Sequence, residues 1–505
     1  MKHRLIQFAW AIFAVMALSA AVHAETAGTP FRVNKYTPGN QYPLKTVMNA
    51  NGETIVLYGD AARGGFSFMQ RYDQAGRALQ SDDWFLQTAE TIAIDGAGNF
   101  VTGRAAPDGS GRGVFITLFS RAGNIVVPEF RVNDTTAGDQ VISALAVSTA
   151  GEIAVTWESY TTNNPQVFVK RFRANGSPIG PEVRVGNPGN NNFYPHIAID
   201  GRGNFVVAWT SQVPRTGIID IWAQRFGSDG RLLGSSFLVN TFTNSTQEAA
   251  SVAMNELGNF VITWTSYSQE GNDLGIYGQL FDSTGRRLGS ELHINVLTSG
   301  DQRAPSVAMA DDGSFTVTWL DYNRVNEPSA PLLVYARSFD RDGVPRGDQF
   351  MVSTVTASVH SNSQISMDRT GYFLITWTML DNTTDQSDVY AQRYLPEGIA
   401  VQPLTDGVVV NDLAGAAGNW QFFKLTVPAG KSALDIVMAG PTTGDADLYV
   451  RYGALPTPSI WDARPFFVGS NEGIRALNPP AGDYYIAING FDSYSSVSLQ
   501  VTTSQ

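Results

Sequence analysis

The feature that most limits what this chain can fold into is a unit of roughly fifty residues, repeated seven times between residues 46 and 403. One copy reads SVAMNELGNFVITWTS (251–266) followed by IYGQLFDSTGRRLGSELHIN (276–295). Its relatives are IAIDGRGNFVVAWTS (197–211) with IWAQRFGSDGRLLGSSFLVN (221–240), and VAMADDGSFTVTWLD (307–321) with VYARSFDRDGVPRGDQFMV (334–352). Weaker copies begin near residues 46, 92, 145 and 365. Two series of glycines mark the period: Gly52, Gly98, Gly151, Gly203, Gly258, Gly313 and Gly371, then Gly76, Gly123, Gly176, Gly230, Gly285, Gly343 and Gly398. Steps within each series run from 46 to 58 residues. A unit this short cannot bury a core alone and must share one with its neighbours.

Each unit reads as four strands. A first strand meets an Asn/Asp-Gly turn, where glycine tolerates φ > 0. The second strand, NFVVAW in one copy, is apolar on both faces, as a strand packed on both sides must be. A variable polar loop, a third strand, a D-x-x-G turn and a fourth strand ending in Val-Asn complete the unit. Four strands per fifty residues, without any 3.6-residue period, predict an all-β chain built as a seven-bladed β-propeller over residues 25–403. Tandem β-sandwiches are the alternative, but fifty residues are too few for each. The seventh unit has a third strand at Val389–Tyr394 but no Phe-x-Val-Asn segment after it, whereas Phe31-Arg32-Val33-Asn34 stands alone before the first unit. That N-terminal strand is expected to close the last blade.

Residues 1–24 carry Lys2 and Arg4, then an apolar stretch ending in Val22-His23-Ala24, which predicts a cleaved signal peptide and a secreted, extracellular protein, with the periplasm as alternative. No other stretch is long and apolar enough to span a membrane, so no span is expected once that segment is removed. A formal charge of −12 with scattered basic residues argues against nucleic acid as a partner. The chain has no cysteine, which excludes disulfides, thiol catalysis and Cys-ligated zinc. A monomer is expected.

After residue 403 the repeat stops. Residues 404–505 contain Phe-x-Leu-x-Val-Pro-Ala-Gly at 423–430, Gly-Asp-Ala-Asp-Leu-Tyr-Val-Arg at 444–451 and Pro-x-Gly-x-Tyr-Tyr ending at Tyr485. This segment resembles the bacterial pre-peptidase C-terminal domain. The resemblance implies a small β-sandwich, appended to secreted enzymes that are often peptidases, and sometimes removed or used for substrate attachment. Family members often carry a cysteine pair where this chain has Ala463 and Gly473. The repeats themselves are similar to those of exported bacterial proteins of undefined activity.

Catalytic motifs are sparse. Beyond the signal segment only His196, His293 and His360 remain, in no H-E-x-x-H or H-x-H arrangement, and no G-x-S-x-G occurs. His196 is read as a crossover residue. The Ser-x-Asp-x-Gly-x-x-Trp box of sialidase propellers is missing its tryptophan. A glycosidase needs only two carboxylates, and the candidates are Glu158 and Asp321, which replace the Thr-Ser pattern after the second-strand tryptophan. Glu270, Asp273 and Glu327 lie farther along the same inter-strand loops. Trp157, Trp209, Trp264, Trp319 and Trp377 recur at one position, as packing between blades requires, while Tyr160, Tyr267 and Tyr322 stand three residues later as candidate ligand contacts. Arg71, Arg171, Arg225 and Arg393 recur on third strands and read as structural. In the C-terminal segment Asp445 and Asp447 would share one side of a strand, where Ca²⁺ is the ion they suit; hydrogen bonding that fixes the turn is the competing role. No other cofactor is expected.

A repeated frame with variable loops and no catalytic motif points to a secreted binding or interaction protein. Its partner would be a polysaccharide or a cell-surface or extracellular protein. The alternative is a secreted hydrolase, either a carboxylate-dependent glycosidase or a peptidase-associated protein.

Overall fold

Asp200 shows how a unit makes its first turn. Its side-chain oxygen accepts the amides of Arg202 (2.9 Å) and Asn204 (2.8 Å), while Gly203 takes φ +83°, a conformation that favours glycine. A computed structural model describes residues 26–505 apart from 28, 74–75, 82, 163, 272, 323–331, 354–359, 382–383, 385, 397–400, 442–443, 457–460 and 466. The expected signal peptide, Glu327 and Gly398 lie outside the described residues, as does the side chain of His360.

The described strands form nine four-stranded sheets. Six are complete in sequence order: 41–85, 91–131, 139–185, 191–238, 247–293 and 301–351. The seventh contains His360–Met367, Phe373–Asp381 and Gln386–Tyr394, with Phe31–Arg32 as its fourth strand. We call these sheets units 1 to 7. The first strand of each unit packs beside the first strand of the next, and that of unit 7 packs beside that of unit 1. The contacts therefore run in a closed cycle. First strands lie innermost, and six of them bulge, as between Phe193 and His196, Glu248 and Ser251, and Arg303 and Ser306.

The N-terminal strand completes the cycle as its sequence indicated. Phe31 and Arg32 pair antiparallel with Ala391 and Tyr390. The recurring Val-Asn then gains a physical role. Asn34, Asn133, Asn240 and Asn295 are buried, and each side-chain oxygen accepts a third-strand amide, from Val389, Val114, Ile221 and Ile276, at 2.7–2.8 Å. The Asn34, Asn133 and Asn295 amide groups also reach Gln41, Gln140 and Gln302, which open the following unit. A buried amide left without that acceptor would be costly, which gives the asparagine its role in these four units; Gln87, Gly186 and Ser353 stand there in units 1, 3 and 6.

Two other repeated residues join neighbouring units. Each of the five tryptophans is buried against the preceding unit: Trp157 against Val114 and Ile116, Trp264 against Ile221 and Ala223. The third-strand arginines reach forward instead. Arg171 donates to the Ser228 carbonyl and Arg225 to that of Ser283 (2.6 Å), each in the turn between the third and fourth strands of the next unit. These arginines are structural, with their charge on carbonyl oxygens and, for Arg171, on Glu152 (2.8 Å).

The last two sheets share one core. Val401–Pro403, Trp420–Val427, Gly482–Gly490 and Ala446–Tyr452 form one; Val409–Gly415, Tyr494–Ser504, Ala433–Ala439 and Glu472–Leu477 form the other. Phe423, Ile436, Leu448, Ile486 and Leu499 from both sheets make a single buried cluster. Val401–Pro403, which precede the expected boundary at 404, already pair with Phe422–Lys424. This C-terminal part is docked on unit 7. Ala27, Tyr372 and Leu395 are buried with Ala454, Leu455 and Tyr485, the Leu455 amide donates to the Tyr372 hydroxyl at 2.6 Å, and Arg393 donates to the Gly453 carbonyl at 2.8 Å.

Candidate functional site

The second strands run farther than their sequence suggests. Ile153–Tyr160, Phe260–Tyr267 and Phe315–Tyr322 each end on the tyrosine, at the rim opposite the glycine turns. Glu158 and Asp321, read as loop acids, are therefore strand residues and are buried, at 5% and 2% exposure. The apolar run masked this, because polar residues at the end of a long strand look like the start of a loop.

Glu158 is held from two sides. The Tyr160 hydroxyl donates to one carboxylate oxygen, and the backbone amide of Tyr194 donates to the other at 2.8 Å. Tyr194, on the bulge of unit 4, takes φ +53° and is 59% exposed. Burial, then the Glu158 carboxylate, holds the Tyr160 phenol above its ordinary range. Sequence reading missed Tyr194, whose partner lies in another unit.

In unit 5 the Tyr267 hydroxyl donates to Glu248 at 2.6 Å, and burial followed by that bond raises the phenol to about 12. In unit 6 the Arg303 guanidinium lies over the Tyr322 ring, 5.4 Å from its centroid, and pairs with Asp301 at 2.8 Å. Glu248, Arg303 and Tyr194 sit at or beside the inner-strand bulges, so three tyrosines and three bulge residues line one rim from unit 3 to unit 6.

The remaining loop candidates are engaged within the chain. Glu270 pairs with His293 at 2.5 Å and accepts from Asn295 at 3.2 Å. Asp273 accepts the Gly300 amide at 3.1 Å. Asp321 faces Gln302 at 3.5 Å, and burial pushes its carboxyl up to about 6. His196, expected in a crossover, belongs to the first strand Asn191–Ile199. Burial and the nearby charge of Lys45, from unit 1 across the cycle, push His196 down to about 3.

In the C-terminal part Asp447 pairs with Arg464 at 2.8 Å, and Asp445 accepts the Gly469 amide at 3.0 Å. Glu472 accepts the Leu448 amide at 2.6 Å, and burial raises it to about 7. Among the described residues no group of three His, Cys, Asp or Glu side chains stands close enough to hold a metal ion. Asp445 and Asp447 thus each have a partner within the chain.

Residues 421–490 match the bacterial pre-peptidase C-terminal domain. The chain is 43% identical over 105 residues to an alkaline serine exoprotease A of Vibrio alginolyticus, covering 21% of this chain and 18% of that protein. It is 34% identical over 125 residues to a virulence metalloprotease of Vibrio anguillarum, covering 24% and 20% respectively. The chain thus spans about a fifth of the length of these relatives. A solved β-propeller domain, from the Trilobed protease of Pyrococcus furiosus, aligns with 71% of this chain and 94% of its own length, at 8% identity and a TM-score of 0.43. The extracellular location expected from the N-terminal segment agrees with these secreted relatives. Among the described residues no helix is long and apolar enough to cross a membrane.

Proposed function

We propose that the chain is a secreted binding protein: units 1 to 7 are the blades of a seven-bladed propeller, and residues 404–505 are a β-sandwich accessory domain. Its ligand would lie on the rim of units 3 to 6, and a polysaccharide or an extracellular protein is the class of partner. The observation that carries this reading is the division of labour within the repeat. Buried positions are held by a tryptophan in five units and an asparagine in four, whereas the rim of units 3 to 6 carries a different set of aromatic and charged groups in each. Exposed Tyr160 and Tyr194 and half-buried Tyr267 and Tyr322, beside fixed carboxylates and an arginine, suit stacking and hydrogen bonding to a polar ligand.

The rival reading is a carboxylate-dependent glycosidase using Glu158 and Asp321. The two acids belong to units 3 and 6, and Glu158 already has two partners, which favours positioning of Tyr160 and Tyr194 over acid–base work. A screen of the mature chain against glycans and extracellular proteins tests the proposal, with Tyr160→Ala/Tyr267→Ala as the comparison. Binding weakened at least tenfold in the double variant is expected. Turnover of a glycan or peptide that Glu158→Gln or Asp321→Asn abolishes would overturn the binding reading.

A further inference from the structure

Five of the seven units place a tryptophan at one rung of the second strand, opposite an aromatic residue of the third: Trp209 opposite Trp222, Trp264 opposite Tyr277. Unit 1 places Tyr58 there, opposite Phe68. In unit 2 the same rung pairs Arg104 with Phe115. Every other ring at this rung packs against the preceding unit, so the arginine leaves the seam between units 1 and 2 without one.

The side chain of Arg104 does not fill the space. It turns to Glu129 in a double hydrogen bond, Nε to Oε1 at 2.6 Å and Nη2 to Oε2 at 2.8 Å. Behind this pair lies a cavity of about 350 Å³ with Leu86, Ala89, Phe115 and Phe119 in its wall. Phe85 and Ile125 stand at its rim, 54% and 60% exposed. An apolar cavity of about 150 Å³ is enough to hold benzene, and ligand pockets begin near 300 Å³. The space therefore exceeds a single ring and suits a fused one with a substituent. Gln87, which also lines it, holds φ +53° with its carbonyl accepting the Ser67 amide at 2.6 Å. A non-glycine residue kept in that conformation marks a wall held in place by its surroundings.

We propose that the seam between units 1 and 2 is a binding site for a fused aromatic ring carrying one polar group, the ring taking the place of the absent tryptophan and the polar group meeting the Arg104–Glu129 pair. The ring can come from a free small molecule or from a tryptophan side chain of a partner protein. This site is separate from the rim of units 3 to 6 and does not depend on its function.

The test uses the full mature chain with two probes, indole and N-acetyltryptophanamide, followed by saturation-transfer NMR and by thermal melting. Saturable binding with a rise in melting temperature is expected for the wild type. Two variants fill the seam from opposite strands, Arg104→Trp and Thr117→Phe, and each should weaken binding at least tenfold while the melting temperature holds or rises. Stronger binding of indole points to a free aromatic, and stronger binding of N-acetyltryptophanamide to a partner's side chain. Absence of binding by both probes, or equal binding by the wild type and whichever variants fold, overturns the proposal and leaves a packing defect.

Discussion

Val389 donates its backbone amide to the side-chain oxygen of Asn34 at 2.8 Å, across 355 residues of chain. The same contact joins Val114 to Asn133 and Ile276 to Asn295 within their own units. In unit 7 alone it ties the two ends of the cycle together. Asn34→Ala should leave a buried amide unpaired and cost about 1–3 kcal/mol. Deleting residues 26–34 removes Phe31, Val33 and the strand pairing as well, and should lower the melting temperature further than the point variant. Equal melting of both variants and the wild type would refute the role of this clasp.

Packing and ligand contact should separate cleanly in mutation. Trp264 is fully buried against unit 4, so Trp264→Ala should cost about 3–5 kcal/mol in denaturant unfolding. Tyr160 is 44% exposed. Tyr160→Phe takes one of two donors from the buried Glu158 carboxylate and should cost about 1.5–3 kcal/mol, less than the tryptophan variant, while reducing ligand binding. A stability loss with no change in binding would move Tyr160 from the binding surface to the frame.

Asp321 gives a pH dependence of definite sign. Burial raises its carboxyl from the ordinary 3.8 to about 6, so the folded chain holds this proton over a range where the unfolded chain has released it. Its stability contribution is intact below pH 4 and is lost as pH rises through about 6. Asp321→Asn should therefore match the wild type near pH 3.5 and exceed it by roughly 3 kcal/mol above pH 7. Unfolding free energies across this range, with a pH-independent difference between the two proteins, would count against it.

The contact between unit 7 and the C-terminal part predicts that the two are not independent. Ending the chain at residue 396 would uncover Ala27, Tyr372 and Leu395 and remove the Gly453 acceptor of Arg393. The shortened chain should melt below the intact one. Tyr372→Phe, which takes the acceptor from the Leu455 amide, should lower stability by about 1–3 kcal/mol in the full chain. Identical melting of the shortened and full chains would show that the interface contributes nothing.

Much of the frame was legible in the sequence because packing repeats. The glycine turns, the tryptophan rung and the solitary Phe-x-Val-Asn segment each announce a position that recurs for a physical reason. The candidate site was legible only in part. Tyr160, Tyr267 and Tyr322 were found from their fixed distance to the tryptophan, but Tyr194, Glu248 and Arg303 sit beside bulges that no local pattern marks. Lys45 acts on His196 although they belong to units 1 and 4, and linear spacing does not carry that relation. Arg104 is the opposite case: alignment of unit 2 with its siblings exposes the missing tryptophan directly, and the cavity follows from it.

The pairing of residues 31–34 with 386–394 also dictates the order in which the molecule can form. A chain emerging N-terminus first presents its closing strand at the outset, whereas the edge that receives it arrives more than 350 residues later. Until then the seventh sheet is short by a strand, the inner strands of units 1 and 7 lack each other, and an open edge is available to other chains. Closing the cycle thus requires a long-range capture that has to wait for unit 7.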